Sequence, residues 1–209
     1  MILLTGFEPF ASDTHNPSSA VATALNGEVL QGITITAATL PVDGARIALS
    51  LEALLTDDLD AIVMLGLARG RMQIALERVA LNWAEYRLPD NAGLTRRGEA
   101  LIAGSADAYL SSLPLQAILS AWREAQIPGY VSDSAGLYLC NQVFYTARHL
   151  RPKLPAGFIH LPSDETLALS KLEPFVPIQF QIHAVRIALE VIALRLLEPS
   201  SSHQKLRDR

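Results

Sequence analysis

Cysteine is nearly absent from this sequence, because Cys140 is the only one among 209 residues. One thiol cannot close an internal disulfide, and it cannot alone build a structural zinc site. The sequence therefore excludes a disulfide framework, fits a reducing compartment and leaves Cys140 free to react.

Long apolar runs without charge are absent as well, although 50% of the residues are hydrophobic. A membrane-spanning helix needs ~20 such residues in a row. The opening segment "MILLTGFEPF" passes from apolar residues to Gly, Glu and Pro, without the basic region and longer apolar core of a secretory signal. We expect a soluble, cytoplasmic protein with no membrane partner.

The sequence also lacks an excess of positive charge. Its formal net charge is -4 with neutral histidines, and no cluster of Lys and Arg rivals that total. A basic surface is what attracts a nucleic-acid backbone. We therefore expect no nucleic-acid partner.

Strand-like and helical segments alternate along the chain. Short apolar or β-branched runs predict strands over 1–6, 32–40, 61–67 and 157–162. Helical periodicity predicts helices over 17–27, 43–58, 105–129, 140–151 and 176–199. Residues 86–109 contain turn signals, fit no single helix or strand pattern and predict a long loop.

This alternation is typical of an α/β fold with a largely parallel sheet. The chain is long enough for one sizeable core, and nothing in it indicates a second. We expect a single domain over residues 1–198, built as a three-layer sandwich in which helices cover both faces of a twisted, mostly parallel sheet. A flexible polar tail is expected over residues 199–209.

Cys140 begins a helical pattern that places it on one stripe with Val143, Phe144 and Ala147. One interpretation is a buried, inert core thiol. The other is a nucleophile, because the first turn of a helix has unpaired N–H groups and a macrodipole that favour a thiolate and could bind an oxyanion. The pattern alone leaves both open.

A reactive thiol needs a base, and His160 is the best candidate among the five histidines. It lies near the end of a predicted strand, where α/β proteins place their chemistry. An interior histidine bonded to the backbone is the alternative. The others fit less well: His149 lies on the opposite side of the helix, His183 on a polar helix face, His203 in the tail, and His15 in a loop with nothing nearby to orient it.

Glu77 is the candidate for orienting that base. In "LERVALN" a strand alternation puts Glu77 on the same face as apolar residues. A buried carboxylate is costly unless it is paired, and an imidazole N–H would pair it. The alternatives are an ion pair of Glu77 with Arg71 or Arg78, and Asp90 or Asp133 as the orienting carboxylate.

Four segments together resemble the pyroglutamyl peptidase I family of cytoplasmic cysteine peptidases. They are "LLTGFEPFASDTHNPS" (3–18), "ERVALNWAEYRLPDNAG" (77–93), "SDSAGLYLCNQVFY" (132–145) and "GFIHLP" (157–162). The resemblance extends over nearly the whole chain, to about residue 197. It implies that Cys140 is the nucleophile, His160 the general base and then acid, and Glu77 the residue that orients the imidazole.

The resemblance also implies a substrate and an assembly. The family removes an N-terminal pyroglutamyl residue from peptides through a thioester, needs no metal or cofactor, and commonly forms tetramers. Arg87 matches a family arginine near the catalytic centre. The positions that match the apolar ring pocket or lie close to it are Phe7, Phe10, Leu67, Leu88, Tyr138 and Leu139.

The chain departs from the family pattern in "GLARGR" (66–71), where Leu67 replaces a usual Gln and Arg69 a usual Gly. The affinity for the ring and the range of rings accepted are therefore open. One alternative is a binding or regulatory homologue in which these changes have impaired catalysis. Another reads the same segment as a phosphate-cradling loop, although its glycine spacing fits no nucleotide-binding motif.

Overall fold

The computed structural model of the protein describes residues 1–198, and the predicted tail lies outside the described residues. Its helices are α1 (Pro17–Leu25), α2 (Ile47–Glu52), α3 (Leu115–Glu124), α4 (Leu139–Leu150), α5 (Glu165–Ala168) and α6 (Ile178–Leu197). Its strands are β1 (Ile2–Phe7), β2 (Val29–Leu30), β3 (Ile33–Leu40), β4 (Ala61–Leu67), β5 (Ile74–Glu77), β6 (Val79–Leu81), β7 (Ala84–Glu85), β8 (Arg97–Glu99), β9 (Ala108–Leu110), β10 (Gly129–Ser132) and β11 (Ala156–Leu161).

Seven strands form the central sheet, in the order β10-β5-β11-β4-β1-β3-β2. The neighbours β3, β1, β4 and β11 run parallel, and β10 runs parallel to β5. Two pairings are antiparallel, β5 with β11 and β2 with β3. The expectation of a mostly parallel sheet is therefore confirmed.

Apolar side chains cover both faces of this sheet, because successive residues of a strand point to opposite sides. Ile2 and Leu4 of β1 pack in one cluster with residues of α1, α3 and α6, including the fully buried Trp122. Leu3 and Phe7 pack in a second cluster with residues of α2 and α4. The three-layer sandwich predicted from the sequence is confirmed.

Two local predictions are wrong, and both errors arise from pairing between distant segments. The predicted helix over 105–129 begins only at Leu115, because Ala108–Leu110 instead pairs with β6 as strand β9. The predicted strand "LERVALN" is broken at Arg78: β5 belongs to the central sheet, whereas β6 belongs to a two-stranded sheet with β9. A second two-stranded sheet joins β7, which precedes the predicted long loop, to β8 within that loop.

The sheet brings the candidate residues to one region. The parallel strands β1, β4 and β11 all end at the same edge, with Phe7, Leu67 and Leu161 as their last residues. Helix α4, which carries Cys140, packs on the face of the sheet that holds Phe7 and Phe158. The predicted site therefore lies where the strand ends of the sheet meet the beginning of α4.

Candidate active site

Cys140 is the second residue of α4 and is half-buried. Gly136 precedes the helix with φ of 78°, a conformation in which a side chain would be strained, and lets the chain turn from β10 into α4. Tyr138, at the N-cap, is extended and makes no side-chain capping hydrogen bond. The first N–H groups of a helix have no partner within it, so those beside Cys140 are open to an external acceptor.

Two buried polar residues fix this helix start. The side-chain oxygen of Asn141 accepts a hydrogen bond from the Leu81 N–H (2.8 Å), and its amide donates to the carbonyls of Leu81 and Trp83 (2.9 and 3.0 Å). Gln142 donates to the Gly44 carbonyl (3.0 Å). Sequence reasoning missed both residues, although two amides on an apolar helix directly after the cysteine were a signal that could have found them.

Glu77 and His160 are in direct contact. Because β5 and β11 are antiparallel, Phe158 lies opposite Glu77 and His160 lies opposite Ala75, so these side chains share one face of the sheet. His160 Nδ1 is 2.7 Å from Glu77 Oε1. Glu77 is 0% exposed and His160 5%. The carboxylate therefore holds the proton on Nδ1 and leaves Nε2 free to act as a base.

Arg71 binds the same oxygen, since its Nη1 donates to Glu77 Oε1 at 2.7 Å. The two interpretations of Glu77 that the sequence left open, pairing with an imidazole and pairing with Arg71, are thus both correct. Arg78 instead forms an ion pair with the exposed Asp133 at 3.1 Å. Asp90 is buried and accepts from the N–H of Gly44 at 2.7 Å, so neither rival carboxylate is bonded to His160.

The position of Gly66 locates the Cys140 sulfur relative to His160. It is the register partner of His160 on the neighbouring parallel strand β4. A Cβ at this position would lie 2.8 Å from the Sγ of Cys140 and 2.6 Å from the ring of Phe158, and that ring is 4.7 Å from the imidazole, between centroids. The sulfur therefore lies over β4 at the level of His160, where only a glycine leaves room for it.

Burial is the largest single influence on the pKa of each of the three groups. It raises the pKa of Cys140 to about 12, and the negative charge of Glu77 adds to the effect. Burial also lowers the pKa of His160, against the opposing hydrogen bond and charge of Glu77. For Glu77, burial acts to raise the pKa, but the contacts with His160 and Arg71 keep it below the ordinary value. The resting site thus holds a thiol, a neutral imidazole and a carboxylate, because burial outweighs the preference of a helix start for a thiolate.

A cavity of about 240 Å³ opens beside the sulfur. Five of the predicted substrate residues line it, namely Phe7, Phe10, Leu67, Tyr138 and Leu139. Asn16, Val42 and Arg69 also line it and were not predicted to do so, although Arg69 is one of the two departures from the family pattern. Arg87 and Leu88 instead line an adjoining cavity of about 540 Å³, which shares Phe10 and Tyr138 with the first.

Aromatic contacts position the shared wall. The Tyr138 ring packs edge-on against Phe10 (5.7 Å between centroids) and against Tyr86 (4.6 Å). Its hydroxyl donates to the Pro89 carbonyl at 3.3 Å. Tyr86 in turn donates to the side-chain oxygen of Gln142. The wall between the two cavities is therefore anchored to α4 and to the segment that follows β7.

The remaining histidines lie elsewhere. The imidazole of His149 contacts the Tyr109 hydroxyl (3.1 Å), and His183 is exposed on α6, as predicted. The expectation that nothing orients His15 is wrong, because Asp164 lies 2.6 Å from its Nε2. His203 lies outside the described residues.

Residues 1–198 contain neither a cluster of metal ligands nor a membrane-spanning helix. In this part of the chain no three or more His, Cys, Asp and Glu side chains are grouped so that they could hold a metal ion. Within the same residues, every helix is too short or too polar to cross a bilayer.

Known proteins resemble this chain along nearly all of its length. A family model described as "Pyroglutamyl peptidase" matches residues 1–195. The pyrrolidone-carboxylate peptidase of Deinococcus radiodurans is 43% identical over 203 residues, covering 91% of this chain and 93% of the relative. That of Pyrococcus furiosus is 36% identical over 207 residues, covering 94% and 99%.

Solved structures agree with the sequence relatives. The crystal structure of pyrrolidone carboxyl peptidase from Thermus thermophilus is similar with a TM-score of 0.88 and 46% identity, and the match covers 91% of this chain and 99% of that one. A mutant of the Pyrococcus furiosus enzyme is similar with a TM-score of 0.90 and 36% identity, covering 94% and 99%. On this evidence the chain belongs to the pyroglutamyl peptidase family.

Proposed function

We propose that this protein is a cysteine exopeptidase that removes an N-terminal pyroglutamyl residue from peptides. One observation carries the proposal: His160, bonded to the buried Glu77, is the register partner of Gly66, and the Cys140 sulfur lies so close to Gly66 that a Cβ there would be 2.8 Å from it, beside an apolar cavity. The names of the relatives, pyrrolidone-carboxylate peptidase, support the same activity.

In the first step the sulfur of Cys140 attacks the carbonyl carbon that follows the lactam ring, and His160 Nε2 takes the thiol proton. The resting pair is neutral, so proton transfer accompanies the attack instead of preceding it. Glu77 stabilises the imidazolium that forms and keeps the ring oriented. When the C–N bond breaks, His160 returns the proton to the leaving amine and a thioester remains.

Water completes the reaction by the same groups. His160 takes a proton from water, the hydroxide adds to the thioester, and the C–S bond breaks as the acid forms. The leaving sulfur takes back the proton from His160, which restores the thiol and the neutral imidazole. The developing oxyanion in both steps lies near the start of α4, whose uncapped N–H groups can donate to it. Free pyroglutamate is released, and no step needs a metal or a cofactor.

The cavity suits this substrate because a pyroglutamyl end is small, cyclic and uncharged. Phe7, Phe10, Leu67, Tyr138 and Leu139 would bury its ring. Arg87 and Leu88 line the adjoining cavity and would contact the rest of the peptide. A ring without the lactam carbonyl, such as that of proline, would leave a hydrogen-bonding group of the site unpaired. The site should therefore bind proline less well than pyroglutamate.

The test is release of fluorescent amine from pyroglutamyl-aminomethylcoumarin, with the prolyl and alanyl compounds as controls. Wild-type turnover should be confined to the pyroglutamyl compound and abolished by Cys140→Ser. Glu77→Gln should lower kcat by roughly 10³-fold, because the imidazole loses its orienting charge.

Asp133→Asn is the matched control, because Asp133 is an exposed carboxylate paired with Arg78. It should retain wild-type turnover. A folded wild type that hydrolyses no pyroglutamyl compound, yet still reacts with a thiol reagent, would refute the peptidase and leave a binding or regulatory homologue.

We also propose that the protein acts in the cytoplasm as a homotetramer. A single cysteine without a disulfide partner suits a reducing compartment. Leu169, Leu172 and Phe175 are exposed in the segment between α5 and α6, and exposed apolar side chains favour contact with a second copy. Light scattering on the purified protein would measure the mass of the assembly, and a monomeric mass would contradict the proposal.

A further inference from the structure

Arg69 lines the ring cavity and also joins two separate loops. Its Nη2 donates to Asp13 in the loop between β1 and α1, and its Nη1 donates to Glu173 in the segment between α5 and α6, at 2.5 Å. Lys171 adds a longer contact with Asp13, at 3.4 Å. The guanidinium is therefore the link between a loop on one side of the cavity and a segment distant in sequence.

The two carboxylates are mostly covered, and the guanidinium is partly exposed. The side chains of Asp13 and Glu173 are 10% and 13% exposed, and that of Arg69 is 30% exposed. Burial acts to raise the pKa of Asp13, but the hydrogen bond and charge of Arg69 keep it below the ordinary value. A half-buried pair of this kind loses more on truncation than an exposed one, because the remaining carboxylates stay desolvated.

The loop held by Arg69 contributes to the cavity at both of its ends. Phe10 near its start and Asn16 at its end line the cavity, and Asp13 lies between them. A second bond holds the same loop to the residue that precedes α5, because His15 contacts Asp164 at 2.6 Å. The position of the Phe10 ring therefore depends on how firmly Asp13 is held.

We propose that Arg69 is a specificity-determining residue, which holds the Phe10 wall at a spacing that fits a five-membered lactam and excludes a larger ring. The proposal rests on the proposed peptidase function. A lysine could not replace Arg69, since a single ammonium lacks the planar fork that reaches two carboxylates in different directions.

The experiment compares two substrates, pyroglutamyl-aminomethylcoumarin and the homologue whose lactam ring has one more methylene. In Arg69→Gly we expect KM for the first substrate to rise about tenfold, with a smaller change in kcat, because the loss affects binding of the ring. The preference in kcat/KM for the smaller ring should fall by a similar factor. Arg69→Lys should behave like Arg69→Gly.

Asp13→Asn tests the Arg69–Asp13 ion pair by changing its carboxylate. It should raise KM in the same direction, and the double variant Arg69→Gly/Asp13→Asn should be no worse than the poorer single variant, because both changes break one interaction. Glu173→Gln gives an independent measurement should either of these variants fail to fold. Arg195→Ala is the matched control, since Arg195 pairs with Glu198 at the exposed end of α6, and it should leave both substrates unaffected.

Unchanged KM and ring preference in folded Arg69→Gly would overturn the proposal, and so would fully additive effects of the two changes. Absence of wild-type turnover on the smaller ring would instead refute the proposed function. The two failures are therefore distinguishable in one set of assays.

Discussion

Arg71 Nη1 and His160 Nδ1 each lie 2.7 Å from the same oxygen of Glu77. The carboxylate between them is completely buried, whereas the Arg71 side chain is 27% exposed. One carboxylate oxygen thus contacts both a permanent cation and an imidazole that becomes charged only during the reaction. The charge of the guanidinium thereby contributes to lowering the pKa of His160, after the larger effects of burial and Glu77.

Replacing Arg71 should shift the pH dependence of the reaction. The Arg71 charge lowers the pKa of His160; burial lowers it more, and Glu77 acts in the opposite direction. The same charge also lowers the pKa of Cys140. In Arg71→Ala the pKa of His160 therefore rises, more of the base is protonated near neutral pH, and the acidic limb of kcat/KM moves to higher pH. Arg71→Lys should restore most of the wild-type profile. The measurement is kcat/KM from pH 5 to 9, and an unmoved limb in folded Arg71→Ala would count against this electrostatic role.

Gly66→Ala should separate catalysis from stability. The new Cβ would meet the Cys140 sulfur at 2.8 Å and the Phe158 ring at 2.6 Å, so the nucleophile must move. We expect kcat to fall by about 10²-fold, with a loss of roughly 1–3 kcal/mol in the free energy of unfolding.

Gly70→Ala is the comparison for Gly66→Ala, because a Cβ there meets nothing within 4 Å while the backbone lies at φ of 79°. It should lose about 1 kcal/mol of stability through strain and keep its kcat. Equal kcat in the two variants would show that the sulfur accommodates the extra methyl.

The residues that a local pattern could reveal were found in the sequence, and the others were not. Strands β1, β3, β4 and β11 and the helices α1, α4 and α6 carry periodicities set by the two-sided burial of a sheet. Strand β9 shows no such pattern, since it is a three-residue strand whose pairing with β6 depends on the tertiary fold.

In the candidate site, too, the sequence identified individual residues but not the contacts between distant loops. Cys140, His160 and Glu77 were identified by type, position and family resemblance, and the Glu77–His160 contact spans 83 positions. The links Arg69–Asp13 and His15–Asp164 span 56 and 149 positions. No periodicity reports which loops meet at the end of a sheet, so these contacts emerged only from the structure.

Tyr86→Phe should destabilise the cavity wall. The Tyr86 hydroxyl donates to the buried side-chain oxygen of Gln142, and burial raises its pKa to about 12. Removing it leaves the Gln142 oxygen unsatisfied, at a cost of roughly 1–3 kcal/mol in the free energy of unfolding. Tyr130→Phe, at a tyrosine that is 38% exposed, should change stability by less than about 0.5 kcal/mol. Urea unfolding of both variants checks this, and equal midpoints would contradict it.

Alkylation of Cys140 should report the resting protonation of the site. Burial, reinforced by the charge of Glu77, raises the pKa of this thiol to about 12, and only the thiolate reacts with iodoacetamide. The rate constant should therefore rise about tenfold per pH unit from pH 7 to 10, without a plateau. Because the chain has no other cysteine, the incorporated label measures this site alone, and Cys140→Ser provides the blank. A plateau reached near pH 7 would instead reveal a stable thiolate–imidazolium pair, in which proton transfer precedes substrate binding.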